Sequence, residues 1–393
     1  MRKILLPAAA VLTLITGCKG VESMEELTDR VFKVAAAQYV QMDGRLSGTN
    51  LPRTVSPEGE FVTSNIRWWC SGFYPGSLWY IYEYTADPQF KDLARKNTLK
   101  LDSLLFRKTD HDLGFQMNCS YGNAYRLTGD EEYVDRIVST ARKLAARYSP
   151  VTGVIRSWDS VRKGCDWKYP VIIDNMMNLE HLYNAAIISG EDSLKAVAKA
   201  HANTTMANHF RPDYTSWHLV DYDPETGEVR HKETVQGLNN ESAWARGQAW
   251  ALYGFTMMYR VSGEQAYLDQ ACGIADMLVS RLPEDGIPYW DFDSRKIPDD
   301  YRDASAGAIM SSAFVQISSL VNDRNSAAKY RKMAEKQLRT LAGPDYLAAP
   351  GENCNFLLRH SVGSLPDNSE VDVPLTYADY YFLEALLKYR ELK

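Results

Sequence analysis

One arrangement recurs along this chain and constrains its fold more than any other feature: an apolar helix carrying aromatics, a turn containing Asp or Gly, then a charged amphipathic helix. "LWYIYEYTADPQFKDLARKN", "YGNAYRLTGDEEYVDRIVSTA", "LYNAAIISGEDSLKAVAKAH" and "LYGFTMMYRVSGEQAYLDQACGIADML" all follow it, and "SSLVNDRNSAAKYRKMAEKQL" is a fifth copy. The closing "YADYYFLEALLKYRELK" is a sixth first helix, and the N-terminal segment "SMEELTDRVFKVAAAQYVQM" can supply its partner. First helices that are small and aromatic nearly all round are buried on both sides, whereas the second helices show one wet face. Six such pairs predict an all-α fold, an (α/α)₆ barrel or six-hairpin toroid. The period of about 60 residues exceeds that of the tetratricopeptide repeat, which disfavours an open superhelix of that type. The long inserts from His209 to Asn240 and from Asp285 to Ala304 should then lie at one end of the ring, where function usually sits.

The first residues, "MRKILLPAAAVLTLITGC", join a basic start to an apolar run too short to span a membrane. The ending Ile15-Thr16-Gly17-Cys18 resembles a bacterial lipobox. This predicts a lipoprotein signal over residues 1–18, a lipid on Cys18, and a single catalytic domain over residues 19–393. The expected location is the envelope of a Gram-negative bacterium, in the periplasm or on the outer surface, with membrane contact only through that anchor. A formal net charge of −6 argues against a nucleic-acid partner. Beyond Cys18, the cysteines are Cys70, Cys119, Cys165, Cys272 and Cys354. Their odd number and the lack of C-x-x-C spacing predict mostly buried free thiols. No histidine pair has zincin spacing, and "DYDPETGE" reads as a surface turn, so no metal is expected. P-loop, dinucleotide and G-x-S-x-G signatures are missing as well. No cofactor is expected, and hydrolysis by acid and base remains.

Two carboxylates suit that chemistry. Asp112 in "HDLGFQMN" and Asp174 in "VIIDNMMN" open consecutive first helices, one hairpin period apart, so both should emerge at the same mouth. Each is followed four residues later by an amide, Gln116 and Asn178, on the same helical face and able to orient it. A single Asp at a helix start is more simply a cap. Two at equivalent places in neighbouring repeats point to a working pair. Close carboxylates cannot both ionise cheaply, so one takes a raised pKa; sequence leaves open which. A third element, "NNESAWARGQAW", sets Arg246 and Trp250 four apart on one helical face. A guanidinium beside an indole suits a sugar bearing a carboxylate, while Trp244 reads equally well as ring core.

With these residues in view, "HDLGF", "IIDNMMNL", "SAWARGQAW", "GIPYWDFD" and "ADYYFLEALL" together resemble the unsaturated glucuronyl hydrolases, glycoside hydrolase family 88, over essentially everything after the export signal. The resemblance implies an (α/α)₆ barrel without metal or cofactor that removes an unsaturated uronic acid from the non-reducing end of lyase-generated oligosaccharides of the glycosaminoglycan type. It implies hydration of the C4=C5 vinyl ether, with Asp174 protonating C4 and Asp112 holding the ring hydroxyls. By the same resemblance His111, His218, Gln236, Arg246 and Trp250 line the pocket, Trp158 and Trp69 stack on sugar, and Val235 stands where a histidine is expected, with Thr234 as a polar candidate beside it. The expected partner is the unsaturated oligosaccharide, bound by a monomer. Two rival readings are an unsaturated rhamnogalacturonyl hydrolase acting on pectin fragments and a non-catalytic lipid-anchored glycan-binding protein.

Overall fold

The computed structural model describes residues 21–159 and 162–392, so the signal segment and Cys18 lie outside the described residues. Helix α1 (Met24–Gly44) opens with a capping box in which Ser23 and Glu26 satisfy each other's backbone N–H. The hairpin β1 (Leu51–Val55) and β2 (Phe61–Ser64) leads to α2 (Phe73–Thr85) and α3 (Pro88–Leu99). The second inner helix is α4 (Leu113–Met117), a π turn (Asn118–Gly122) and α5 (Asn123–Thr128), with α6 (Val134–Ala145) outside it. Short strands β3 (Tyr148–Ser149), β4 (Val154–Ile155) and β5 (Tyr169–Ile172) precede α7 (Leu179–Ser189) and α8 (Asp192–Asn208). After β6 (Leu219–Tyr222) and β7 (Val229–Glu233) come α9 (Ala245–Ser262), α10 (Gln265–Arg281), α11 (Ala304–Leu320) and α12 (Arg324–Leu341). The hairpin β8 (Ser361–Ser364) and β9 (Ser369–Val373) then leads into α13 (Thr376–Arg390).

The inner ring is α2, α4–α5, α7, α9, α11 and α13, each packed on the next, and α13 closes against α2. Inner α11, "ASAGAIMSSAFVQISSL", is buried over nearly its whole length because its small residues let neighbours approach on two sides. Outer α12 buries one stripe only: Tyr330, Ala334, Gln337, Leu338 and Leu341. The "SGE" turns end α7 and α9 with Gly190 and Gly263 in the left-handed conformation, at φ 76° and 72°, a cap that a side chain would strain. Helix α1 takes the outer place beside α13: Tyr39 donates to Asp379 at 3.2 Å, and Phe32 stacks on Tyr84 of α2 at 4.1 Å. One apolar core runs continuously from Leu27 to Tyr389. Among the five described cysteines all are free, but only Cys70 and Cys119 are fully buried; the other three are half-buried.

The two ends of the ring differ. Where the inner helices finish, a cavity of about 520 Å³ is lined by charges that pair among themselves, Glu83 with Arg126, Glu180 with Arg260 and Glu384 with Lys388. Where the inner helices begin, the inserts from His209 to Asn240 and from Asp285 to Ala304 gather as the sequence predicts. The hairpin of β8 and β9 and the segment between α6 and α7 join them there.

Candidate active site

A continuous run of backbone bonds sets Asp112 and Asp174 side by side. Strands β5, β6 and β7 form an antiparallel sheet in which Ile172 faces Leu219 and Leu219 faces Glu233. One step past β5, the Ile173 N–H donates to the His218 carbonyl at 2.9 Å, which fixes Asp174 opposite His218. On the other edge Ser157 donates its N–H to the Pro170 carbonyl at 2.9 Å, and its carbonyl receives the His111 N–H at 3.2 Å. The sheet therefore positions both acids and both histidines. The inner helices touch closely just below: a Cβ built on Gly114 would stand 2.5 Å from the side chain of Asn178, so only glycine fits the fourth place of "HDLGF".

Neither acid caps its helix. Asp112 occupies the N-cap place of α4, and Asp174 lies in the first turn of the 3₁₀ segment ahead of α7, yet neither position shows a side-chain capping bond. Asp87, Asp303 and Asp323 at other helix starts do cap. The simplest structural role for the pair is thus unfilled. Each carboxyl instead faces an imidazole, His111 Nε2 at 3.4 Å from Asp112 and His218 Nε2 at 3.6 Å from Asp174. His218 Nδ1 accepts the N–H groups of Val235 at 3.0 Å and Gln236 at 3.3 Å, so its proton sits on Nε2 and points at Asp174. Both Nε2 atoms and Asp174 Oδ2 are buried and lack an ordinary hydrogen-bond partner among the described residues. Donors and an acceptor left open at a buried mouth are what a polar ligand would complete.

Burial dominates the electrostatics. It pushes the Asp174 carboxyl up to about 6, against the opposing pull of the Arg246 charge, its own backbone N–H and the Trp250 indole N–H. The Asp112 carboxyl is raised well above the usual range by burial first, then by the charges of Asp110 and Asp174, with Arg147 opposing. The Asp174 charge felt at Asp112 places the two carboxyls in one site. His111 and His218 are both held down to about 3 by burial, helped by Arg147 and Arg246 respectively, so both are neutral near neutral pH.

The remaining expected residues converge on this mouth in different ways. Trp158 is half-buried, edge-on to His111 at 6.2 Å, and available as a wall. Gln236 is half-buried in the strap after β7. Thr234 is a brace within that strap: its hydroxyl accepts the Gly237 N–H at 2.8 Å and its own N–H meets Asn240 Oδ1 at 3.0 Å. Trp69 is half-buried against Phe115 and Tyr377. Two expectations need correction. Trp250 is fully buried between Phe115 and Tyr381, so it presents its N–H toward Asp174 and no open face for a sugar. The Arg246 fork is already in use, with Nη1 on the Val362 carbonyl and 3.5 Å from Asp303, and Nη2 on the Gly363 carbonyl at 2.6 Å. Its charge and its unpartnered, buried Nε–H are what remain for the site. Nor do the two amides orient the acids: Gln116 donates to the carbonyls of Ile66 and Trp68, and Asn178 accepts the Phe115 N–H at 2.7 Å.

Sequence reasoning missed Asp110, which takes the Asp112 N–H at 3.0 Å, and Arg147, which ties the Thr109 and Ser157 carbonyls to Asp159. The D-x-D spacing of Asp110 and Asp112 is a readable Asx-turn signal; the Arg147 contacts have no local signature.

Comparison with known proteins agrees with this geometry. The family model described as Glycosyl Hydrolase Family 88 matches residues 48–371. An unsaturated glucuronyl hydrolase of Formosa agariphila is 42% identical over 367 residues, covering 90% of each chain. An unsaturated chondroitin disaccharide hydrolase of Streptococcus pneumoniae is 31% identical over 82% of this chain and 81% of its own. Among solved structures, an unsaturated glucuronyl hydrolase specific for heparin superposes with a TM-score of 0.90 at 46% identity, over 93% of this chain and 98% of that one.

Proposed function

The chain belongs to glycosyl hydrolase family 88 and is a glycoside hydrolase, and from that premise we propose that it removes the unsaturated uronic acid from the non-reducing end of glycosaminoglycan fragments left by lyases. The observation that carries the reading is the pair of uncapped acids, brought from adjacent inner helices to one mouth and each faced by the Nε2 of a neutral imidazole. Relatives named for glucuronyl, chondroitin disaccharide and heparin substrates support the substrate class.

In the proposed reaction Asp174 gives its proton to C4 of the C4=C5 vinyl ether. The resulting carboxylate takes a proton from the water that adds at C5, so the acid is regenerated. The hemiketal formed at C5 opens and releases the next sugar. An acid with a pKa of about 6 suits both halves, since it can give and retake a proton near neutral pH. Asp112, kept protonated by burial and by its acidic neighbours, serves as a donor to the ring hydroxyls. His111, His218 and Gln236 surround the sugar, with Trp158 and Trp69 as apolar walls. The lipobox supports export with a lipid at Cys18, and the enzyme works there as a monomer.

Unsaturated uronides absorb in the near ultraviolet, and hydration destroys that absorbance. The wild type should bleach a chondroitin, hyaluronan or heparin lyase disaccharide. Asp174→Asn should lower turnover by at least about a hundredfold while keeping the fold, because the amide matches the carboxyl in shape and cannot donate the proton. Full activity in that variant would remove Asp174 from the mechanism.

A further inference from the structure

The two histidines reach the same state by different means. At His218, two backbone N–H groups occupy Nδ1 and leave the proton on Nε2. At His111, no backbone donor stands at Nδ1; two side-chain amides adjoin the ring instead, Asn178 with Nδ2 at 3.4 Å from Nδ1, and Asn175, which also hydrogen-bonds the imidazole. The orientation of that amide is not free. Its Oδ1 accepts the Phe115 N–H at 2.7 Å, so the NH₂ end must face the ring. Behind it, Asn175 donates to the Ile155 carbonyl at 2.7 Å, which turns Asn175 Oδ1 toward the second hydrogen of Asn178 at 3.5 Å. Two backbone groups of opposite kind thus anchor a chain of two amides at both ends. All of it is buried: His111, Asn175 and Asn178 each have 0% exposure.

We propose that Asn178 is a positioning residue for the reaction: it holds His111 in the Nε2–H tautomer, so that this N–H faces Asp112. Asn178 follows Asp174 on the same element, so it joins the placement of one acid to the hydrogen bonding of the other. The inference rests on Asp112 and Asp174 being the working pair, but its first readout is independent of any substrate. The charged or titratable groups around His111 are Asp110, Asp112, Arg147, His201 and His218, and none is altered in the test.

Nitrogen NMR of the ¹⁵N-histidine-labelled wild type distinguishes the tautomers directly. The expected spectrum assigns His111 a protonated Nε2 and a bare Nδ1. A proton on Nδ1, donated to Asn175 Oδ1, would overturn the proposal whatever the enzyme's substrate. In Asn178→Asp, one oxygen keeps the Phe115 bond and the other confronts Nδ1 as an acceptor. His111 should then carry a proton on Nδ1, and kcat should fall about tenfold or more with a displaced pH profile. An unchanged tautomer together with an unchanged profile in that variant would equally defeat it. If the wild-type tautomer is as expected but no unsaturated uronide is turned over, the functional reading fails and the assignment of Asn178 stands.

Discussion

At the residue scale the proposed chemistry depends on two carboxyls displaced from their ordinary range, and the direction of displacement gives a pH dependence. In the proposed reaction Asp174 must be protonated to act on C4, and burial raises its pKa to about 6. The rate should therefore be highest below that value and fall about tenfold per pH unit above it. His111 and His218, neutral down to about 3, add no limb in the working range. A pH series of kcat/KM on a lyase disaccharide checks this; a limb near 4, the value of an ordinary aspartate, would mean that burial does not act on the donor as described. The residues themselves were readable because a repeated acid at a fixed place in a repeated unit is a local pattern. What each neighbour does was not. Gln116 and Asn178 occupy equivalent places after their acids, yet one braces the segment before α2 and the other reaches across to Phe115. Only packing between helices distinguishes them.

At the element scale the site exists because α4 and the segment leading into α7 approach until a single hydrogen is all that Gly114 can place between them. Gly114→Ala should destabilise the protein by about 1–3 kcal/mol through overpacking. It should reduce turnover further than that loss alone explains, since separating the two elements separates the acids. Denaturant unfolding compared with kcat in the folded enzyme tests this; normal kcat in a destabilised variant would show that the contact serves stability alone. Helix boundaries followed from aromatics, small residues and Gly turns, as at Gly190 and Gly263. The sheet of β5, β6 and β7 was illegible because its strands are only four or five residues long and lie in two separate inserts. Its register, which places His218 opposite Ile173, is a long-range fact.

At the scale of the whole molecule, the alternation of buried and one-sided helices was enough to predict a closed ring, because six inner helices with two buried faces each need a neighbour on both sides. The polar end of the ring opposite the acids was not foreseen. Its ion pairs join residues of different helices, as Arg126 with Glu83 and Arg260 with Glu180, and no one segment carries their pattern. Location is a separate proposal, resting on the signal expected over residues 1–18. If Cys18 bears a lipid, Cys18→Ser should move the protein from the membrane fraction to the soluble fraction and end incorporation of labelled fatty acid, with activity per molecule unchanged. A membrane-bound serine variant would exclude that anchor.

The grip of Arg246 on the carbonyls of Val362 and Gly363 has a consequence for how this hairpin can be altered. It fixes the base of the β8–β9 hairpin to the first turn of α9, while the tip, residues 365–368, is tied elsewhere, by Asp367 to Arg162. A graft confined to that tip leaves the Arg246 bonds in place, whereas any graft that shifts the chain at 362 or 363 pulls on the hairpin and on α9 at once.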